Sequence, residues 1–150
     1  MIHSELAFEA VMEVGPVQEL GATPKGARKM IPILGGRFSG PKIEGIILPG
    51  GADWQLIRND GVAEVKALYT MKTADGTMIY IVNRGYRHGP KEVMSRLAAG
   101  EPVSPEDYYF RTTPVFEVED GRYGWLNRTL MVGIGERTKE SVRIRFYEIL

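Results

Sequence analysis

The sequence predicts a mainly β protein, a single antiparallel β-barrel over residues 1–150 with one short helix. Three observations carry this. Apolar and polar residues alternate with period two in several separate runs, the mark of strands with one buried face. The pairs Asp60-Gly61, Asp75-Gly76 and Asp120-Gly121 punctuate those runs, and such pairs accept the positive φ angles of tight hairpins. Counting the runs between turns gives about eight to ten strands, the range of a closed or nearly closed antiparallel barrel.

In chain order, Leu6, Phe8 and Ala10 alternate with Glu5, Ala7 and Glu9, giving a first half-buried strand. Gly35-Gly36 and Gly50-Gly51 read as two bends rather than as a duplication. Residues 43–48 are apolar on both parities. From 62 to 73, Val65, Ala67, Tyr69 and Met71 oppose Glu64, Lys66, Leu68 and Lys72. Residues 78–82 are again apolar on both parities. Strands of that kind need cover inside and outside the barrel, and one helix cannot cover a wall, so a homo-oligomer (dimer or higher) is expected. That helix runs from 90 to 99, with Pro90 near its first turn, Val93, Met94 and Leu97 on one stripe, and Gly100 after its end. Residues 108–111 and 125–128 read as strands. Finally, Val142, Ile144 and Phe146 alternate with Arg143, Arg145 and Tyr147.

Length and charge bound the remaining possibilities. A chain of 150 residues buries about 68–70% of its unfolded surface, enough for one core without staples. Nineteen basic and nineteen acidic residues balance to zero, without the basic footprint of a nucleic-acid binder. The absence of cysteine excludes disulfides, thiol nucleophiles and thiolate metal sites, and fits a cytoplasmic location. Met1-Ile2-His3-Ser4-Glu5 has no cationic segment followed by an apolar run, so neither a signal peptide nor a membrane span is expected.

Four ordered motifs then carry a resemblance. They are Gly35-Gly36-Arg37-Phe38-Ser39-Gly40-Pro41, Pro49-Gly50-Gly51-Ala52-Asp53-Trp54, Tyr108-Tyr109-Phe110-Arg111-Thr112 and Trp125-Leu126-Asn127-Arg128. Together they closely resemble the domain-of-unknown-function family numbered 3237, also called uncharacterised protein family 0311, from about Leu6 to Tyr147. The resemblance implies a compact barrel of allene-oxide-cyclase-like or calycin-like shape. It implies no particular reaction, because the family has no settled activity.

The candidate chemistry centres on Asp53, which follows a glycine bend and precedes an indole. A carboxylate in a partly apolar barrel has its pKa raised and can act as a general acid or base. The alternative is an Asx role, bonding the backbone of the Gly50-Gly51 bend. Trp54 is a flat substrate wall or plain core. If the Tyr109–Arg111 face points inward, it offers a phenol and a cation suited to a carboxylate, enolate or phenolate; otherwise Arg111 is a surface cation paired with a residue such as Glu117. Trp125 and Asn127 share strand parity, so Asn127 either orients a substrate carbonyl or caps a turn or ladder. Asn83, Gly85 and Arg87 form a third same-parity set, and an inward Arg87 requires an anion or partner carboxylate nearby.

Other chemistries find no pattern. His3 and His88 belong to no metal-binding spacing, so no metal and no cofactor are expected. Gly40 and Gly45 have the outer spacing of a phosphate loop, but Ile46 stands where a lysine is required. Gly133-Ile134-Gly135 begins a dinucleotide fingerprint that Thr138 breaks. No serine sits in a nucleophile elbow.

Three functions remain. The first is a cofactor-independent enzyme performing isomerisation, cyclisation, hydration or elimination on a small aromatic or polyketide-like organic acid or enone. Asp53 would move the proton, Arg111 and Arg87 hold the anionic group, and Trp54, Tyr109 and Trp125 form walls, with Asn127 or Asn83 polarising a carbonyl. The second is a non-catalytic carrier or sensor for a small organic ligand. The third is a structural or assembly barrel filled by its own side chains. No nucleic-acid or membrane partner is expected for any of them.

Overall fold

The alternating runs become ten strands in the computed structural model, which describes residues 1–150. In chain order these are β1 (Ser4–Val14), β2 (Gln18–Thr23), β3 (Gly26–Ser39), β4 (Glu44–Ile47) and β5 (Gly51–Ile57). They continue with β6 (Ala63–Thr73), β7 (Met78–His88), β8 (Tyr109–Val118), β9 (Met131–Arg137) and β10 (Ser141–Ile149). Helix α1 (Lys91–Ala98) lies between β7 and β8, and 3-10 turns occupy Pro105–Asp107 and Gly124–Arg128. No helix is long and apolar enough to cross a membrane.

Every strand pairing is antiparallel. From β1 the order runs through β10, β9, β8, β7 and β6. From there β6 pairs with β4 and β5, both of those pair with β3, and β3 returns to β1, closing the barrel. Two staves are broken strands. β4 covers residues 36–39 of β3 and β5 covers residues 27–33, so β4 and β5 together make one stave interrupted at the Pro49-Gly50 bend. β1 and β2 divide the other edge of β3 in the same way. Ten strands therefore make an eight-staved barrel.

The interruption between β4 and β5 has a local cause. Gly50 adopts φ +104°, which L side chains rarely do. At Gly51 a Cβ would lie 2.5 Å from Tyr69 Cβ, so only glycine allows β5 to approach β6 there. This bend brings Asp53 onto the inner face.

Apolar packing fills part of the interior. Phe8, Phe38, Phe116 and Phe146 are fully buried or nearly so and meet edge-to-face or tilted, with Phe8–Phe146 centroids 4.8 Å apart. Burying each such ring contributes about 1.5–3 kcal/mol. A smaller cluster of Val65, Leu97, Tyr108 and Phe110 anchors α1 against the barrel.

Three local expectations change. In β1 the register with β10 shifts between Leu6 and Phe8, a bulge that buries Ala7 and leaves Leu6 exposed, against strict alternation. Residues 125–128 form a 3-10 turn rather than a strand, so parity does not relate Trp125 to Asn127. The doubly apolar runs are covered within the chain on one side only. Ile47, Ile79 and Ile81 are buried, while Ile46, Met78 and Tyr80 stay exposed.

Candidate functional site

A narrow cavity opens inside the barrel where β5, β7 and β9 end and β6, β8 and β10 begin. Its volume is ≈ 30 Å³, and it is open to solvent at one end. Met12, Ile33 and Ile144 extend the main core into its floor. Against that floor stand Asp53, Gln55, Asn83, Arg87, Thr112 and Arg137. Val65 and Phe110 carry the wall up to α1.

Asp53 is held at both oxygens. Gln55 Nε2 donates to Asp53 Oδ2 at 2.8 Å, and the Lys66 backbone N–H donates to Oδ1 at 3.1 Å. The second bond reflects an opening in the ladder: β5 and β6 pair Asp53 with Ala67 and Leu56 with Glu64, but not the residues between. The Asx bond to the glycine bend is not what holds Asp53. Burial pushes the Asp53 carboxyl above the usual carboxylate range, and the Gln55 bond, the Arg87 charge, the Lys66 N–H and the Arg137 charge only partly oppose it.

Arg87 does not touch Asp53. Its Nη2 donates to Gln55 Oε1 at 3.3 Å, and its guanidinium lies 5.5 Å from the centre of the Phe110 ring. Burial lowers its pKa, an effect that Asp53 opposes and Arg137 reinforces. Gln55, only 2% exposed, therefore joins cation to carboxylate through one amide.

Several polar atoms around this chain have no partner. Asn83 Oδ1, Arg87 Nε, Thr112 Oγ1 and Tyr69 Oη are buried without a hydrogen bond. Each such group costs about 1–3 kcal/mol relative to a bonded one, and native interiors contain few of them. Tyr69 stands close enough to feel the Asp53 charge, which adds to burial in raising its phenol pKa.

Glycines in β9 make the space. A Cβ at Gly133 would fall on Thr112 Oγ1 and on Ile144 Cγ2, and one at Gly135 would lie 2.6 Å from Phe110 Cδ2. The two glycines that resembled the start of a dinucleotide fingerprint are thus steric allowances for the Thr112 and Phe110 side chains of the pocket wall.

Of the residues expected at a site, Asp53, Asn83 and Arg87 come together here. The rest do not join them. Tyr109 and Arg111 lie on the outer face of β8, where Tyr109 stacks on His88 and Arg111 sits 5.3 Å from the Tyr109 ring and bonds the Phe110 carbonyl. The reason is register: Arg87 pairs with Phe110 and Gly85 with Thr112, and directly opposed residues share a face. Trp54 is 40% exposed and lines a shallow outer groove with Arg28, Lys66, Arg84 and Tyr86. Trp125 packs against the main core with Lys42 Nζ 4.2 Å above its ring. Asn127 caps the end of β8, accepting from Val118 N–H at 2.9 Å and donating to Val118 O at 2.8 Å.

Sequence reasoning missed Gln55, Thr112 and Arg137 as site residues. Parity held the signal for all three. Gln55 lies two residues beyond Asp53, Thr112 two beyond Phe110, and Arg137 continues the inward face of Gly133 and Gly135. No three His, Asp or Glu side chains converge to hold a metal ion.

A family model described as "Protein of unknown function (DUF3237)" matches residues 2–149. A UPF0311 protein of Rhodopseudomonas palustris is 40% identical over 149 residues, covering 99% of this chain and 97% of that protein. A more distant relative named PR-toxin biosynthesis cluster protein 7, from Penicillium roqueforti, is 29% identical over 146 residues, covering 83% of this chain and 77% of that protein. Among solved structures, a conserved protein of unknown function from R. palustris superposes with TM-score 0.97 at 39% identity, over 100% of this chain and 99% of that one. A beta-barrel like protein from Acinetobacter baumannii gives 0.87 at 39% identity, over 100% and 97%. A structure described as an enzyme from Penicillium herquei shares the fold with TM-score 0.74 at 18% identity, over 99% and 95%.

Proposed function

The chain belongs to the DUF3237 family, and from that premise we propose that its barrel is a cofactor-independent enzyme moving a proton on a small organic molecule with Asp53. The observation that carries this is the convergence of unsatisfied buried groups on one carboxylate. Asn83 Oδ1, Arg87 Nε and Thr112 Oγ1 are buried without partners in the lining of the cavity that holds Asp53, and Tyr69 Oη, outside that lining, is unpartnered and within reach of the Asp53 charge. A ligand with carbonyl and hydroxyl groups would satisfy this set. Enzymatic use of the same architecture in Penicillium herquei supports a catalytic role for the barrel.

In this reading the substrate is a small aromatic or polyketide-like organic acid or enone. Asp53, with its pKa raised by burial, accepts a proton from carbon beside a carbonyl and returns it elsewhere, giving isomerisation, cyclisation or elimination. Arg87 and Thr112 polarise the developing enolate oxygen, and Phe110 with the apolar floor excludes water. Outer-face residues such as Ile46, Met78 and Tyr80 support assembly with a second copy.

The test is deuterium incorporation from D2O at the α-carbon of small enones and keto acids, followed by proton NMR. Exchange catalysed by the wild-type protein and lost in Asp53→Asn supports the reading. A ligand that binds in the cavity and is always recovered without deuterium makes the protein a carrier or sensor instead.

A further inference from the structure

We infer that Arg137 is the second anion-holding guanidinium of this cavity, and that the ligand is a small carboxylate bound between Arg137 and Arg87. This rests on the cavity being a ligand site, but not on Asp53 moving a proton. The charges inside are unbalanced. Asp53 is the only acidic side chain lining the cavity, against Arg87 and Arg137. Whether Asp53 is protonated or ionised, the lining carries a net positive charge.

Neither arginine has another anion to satisfy it. Arg87 and Arg137 take part in none of the protein's ion pairs. Glu101, Glu136 and Glu140 share an outer cleft with Arg137 yet none forms an ion pair with it. Asp53 is committed through Gln55 and the Lys66 N–H. The Arg87 Nε donor is buried and unbonded, and the Arg137 side chain makes no hydrogen bond. Burial pushes both guanidinium pKa values down, and the Arg137 charge lowers that of Arg87 further. Arg137 is partly exposed at the rim and Arg87 stands on the wall with its Nε buried, and two like charges facing one cavity favour an anion between them.

The fold also fixes where Arg137 stands. Its backbone N–H donates to Tyr108 Oη at 2.9 Å, tying the end of β9 to the segment that joins α1 to β8. Tyr108 packs with Leu97 and Phe110 in the small cluster beneath α1. The guanidinium is thus delivered at the rim, while Arg87 stands on the wall beside Phe110. A planar carboxylic acid entering head-first meets donors from both, with its carbon chain against Val65, Phe110 and Val142. A neutral enone would leave both charges unanswered.

The experiment uses crotonate and its neutral isostere crotonamide, titrated into the 150-residue protein by calorimetry. Crotonate should bind, and crotonamide should bind at least tenfold more weakly. Arg137→Gln should weaken crotonate at least tenfold, while Arg137→Lys, which keeps the charge, should recover much of that loss. Equal binding of the two ligands, no crotonate binding at tens of millimolar, or undiminished affinity in a folded Arg137→Gln protein would overturn the assignment. Asp53→Asn separates this from the proton-transfer reading: that variant should retain crotonate binding even though it loses deuterium exchange. Binding that survives in all variants alongside lost exchange would leave Asp53 chemistry standing and remove Arg137.

Discussion

Asp53 and Arg87 oppose each other inside the barrel without touching, because the amide of Gln55 occupies the space between them. Gln55 gives its Nε2 hydrogen to the carboxylate at 2.8 Å and takes one from the guanidinium at 3.3 Å. A direct ion pair would lock Asp53 in its ionised form. The intervening amide leaves burial as the dominant influence, and the carboxyl titrates above its ordinary value of 3.8.

Asp53→Asn should lower proton transfer by about 10²–10⁴-fold with ligand affinity kept. In the wild-type enzyme, activity should rise with pH through the elevated Asp53 pKa, because the base works only when ionised. A rate that is flat across the acid range would remove Asp53 as the base.

Stability should follow the same group in the opposite sense. Between pH 3.8 and the raised folded value, the native state binds more protons at Asp53 than the unfolded chain does. Its contribution is therefore greatest below that window and declines as pH rises through it. The stability of Asp53→Asn relative to wild type should improve over that interval and level off above it. Parallel chemical denaturation of the two proteins at several pH values measures this directly.

Gln55→Met removes the amide while keeping side-chain volume. Arg87 and Asp53 each lose a buried partner, at a cost of about 1–3 kcal/mol per group, visible as a lower denaturation midpoint. Losing the Gln55 bond, which lowers the Asp53 pKa, should also move the acid limb of the rate profile to higher pH. An unmoved limb would show that Gln55 only packs.

The two arginines expected to hold the anionic group should behave oppositely. Arg87→Met should abolish ligand binding, since the guanidinium lines the cavity. Arg111→Met should leave binding unchanged and shift stability by about 0.5 kcal/mol or less, because its side chain lies outside against Tyr109. Isothermal titration of both variants compares them, and loss of binding in Arg111→Met would contradict the register of β8.

Gly135→Ala tests whether β9 makes the room. The added methyl would lie 2.6 Å from Phe110 and must push the ring into the cavity. Overpacking of this kind costs about 1–3 kcal/mol. Affinity should fall together with stability, whereas Asn127→Ala, which loses two bonds to Val118, should lower stability and spare affinity.

Much of this was legible from the residues alone. Asp-Gly pairs and period-two runs specify strands and turns locally, and the helix at 91–98 lies within the expected 90–99. Asp53 was found because glycine permits the bend at Gly50 that precedes it. In the 62–73 run the apolar parity was unambiguous, and Val65, Tyr69 and Met71 are indeed buried.

The direction of β8 could not be read from residues 109–112 alone. Tyr109 and Arg111 on one parity, Phe110 and Thr112 on the other, each mix an aromatic with a polar side chain, and only the longer run, with Glu117 on the first parity and Phe116 and Val118 on the second, favours the second face inside. Pairing with β7 decided it, since Arg87 opposite Phe110 puts both inside. Local sequence determined that these segments are strands, because backbone preference and alternation act over a few residues. Only closure of the barrel decided that Asp53 and Gln55 meet Arg87 and Arg137, which are distant along the chain, because which face turns inward is fixed by cross-strand register.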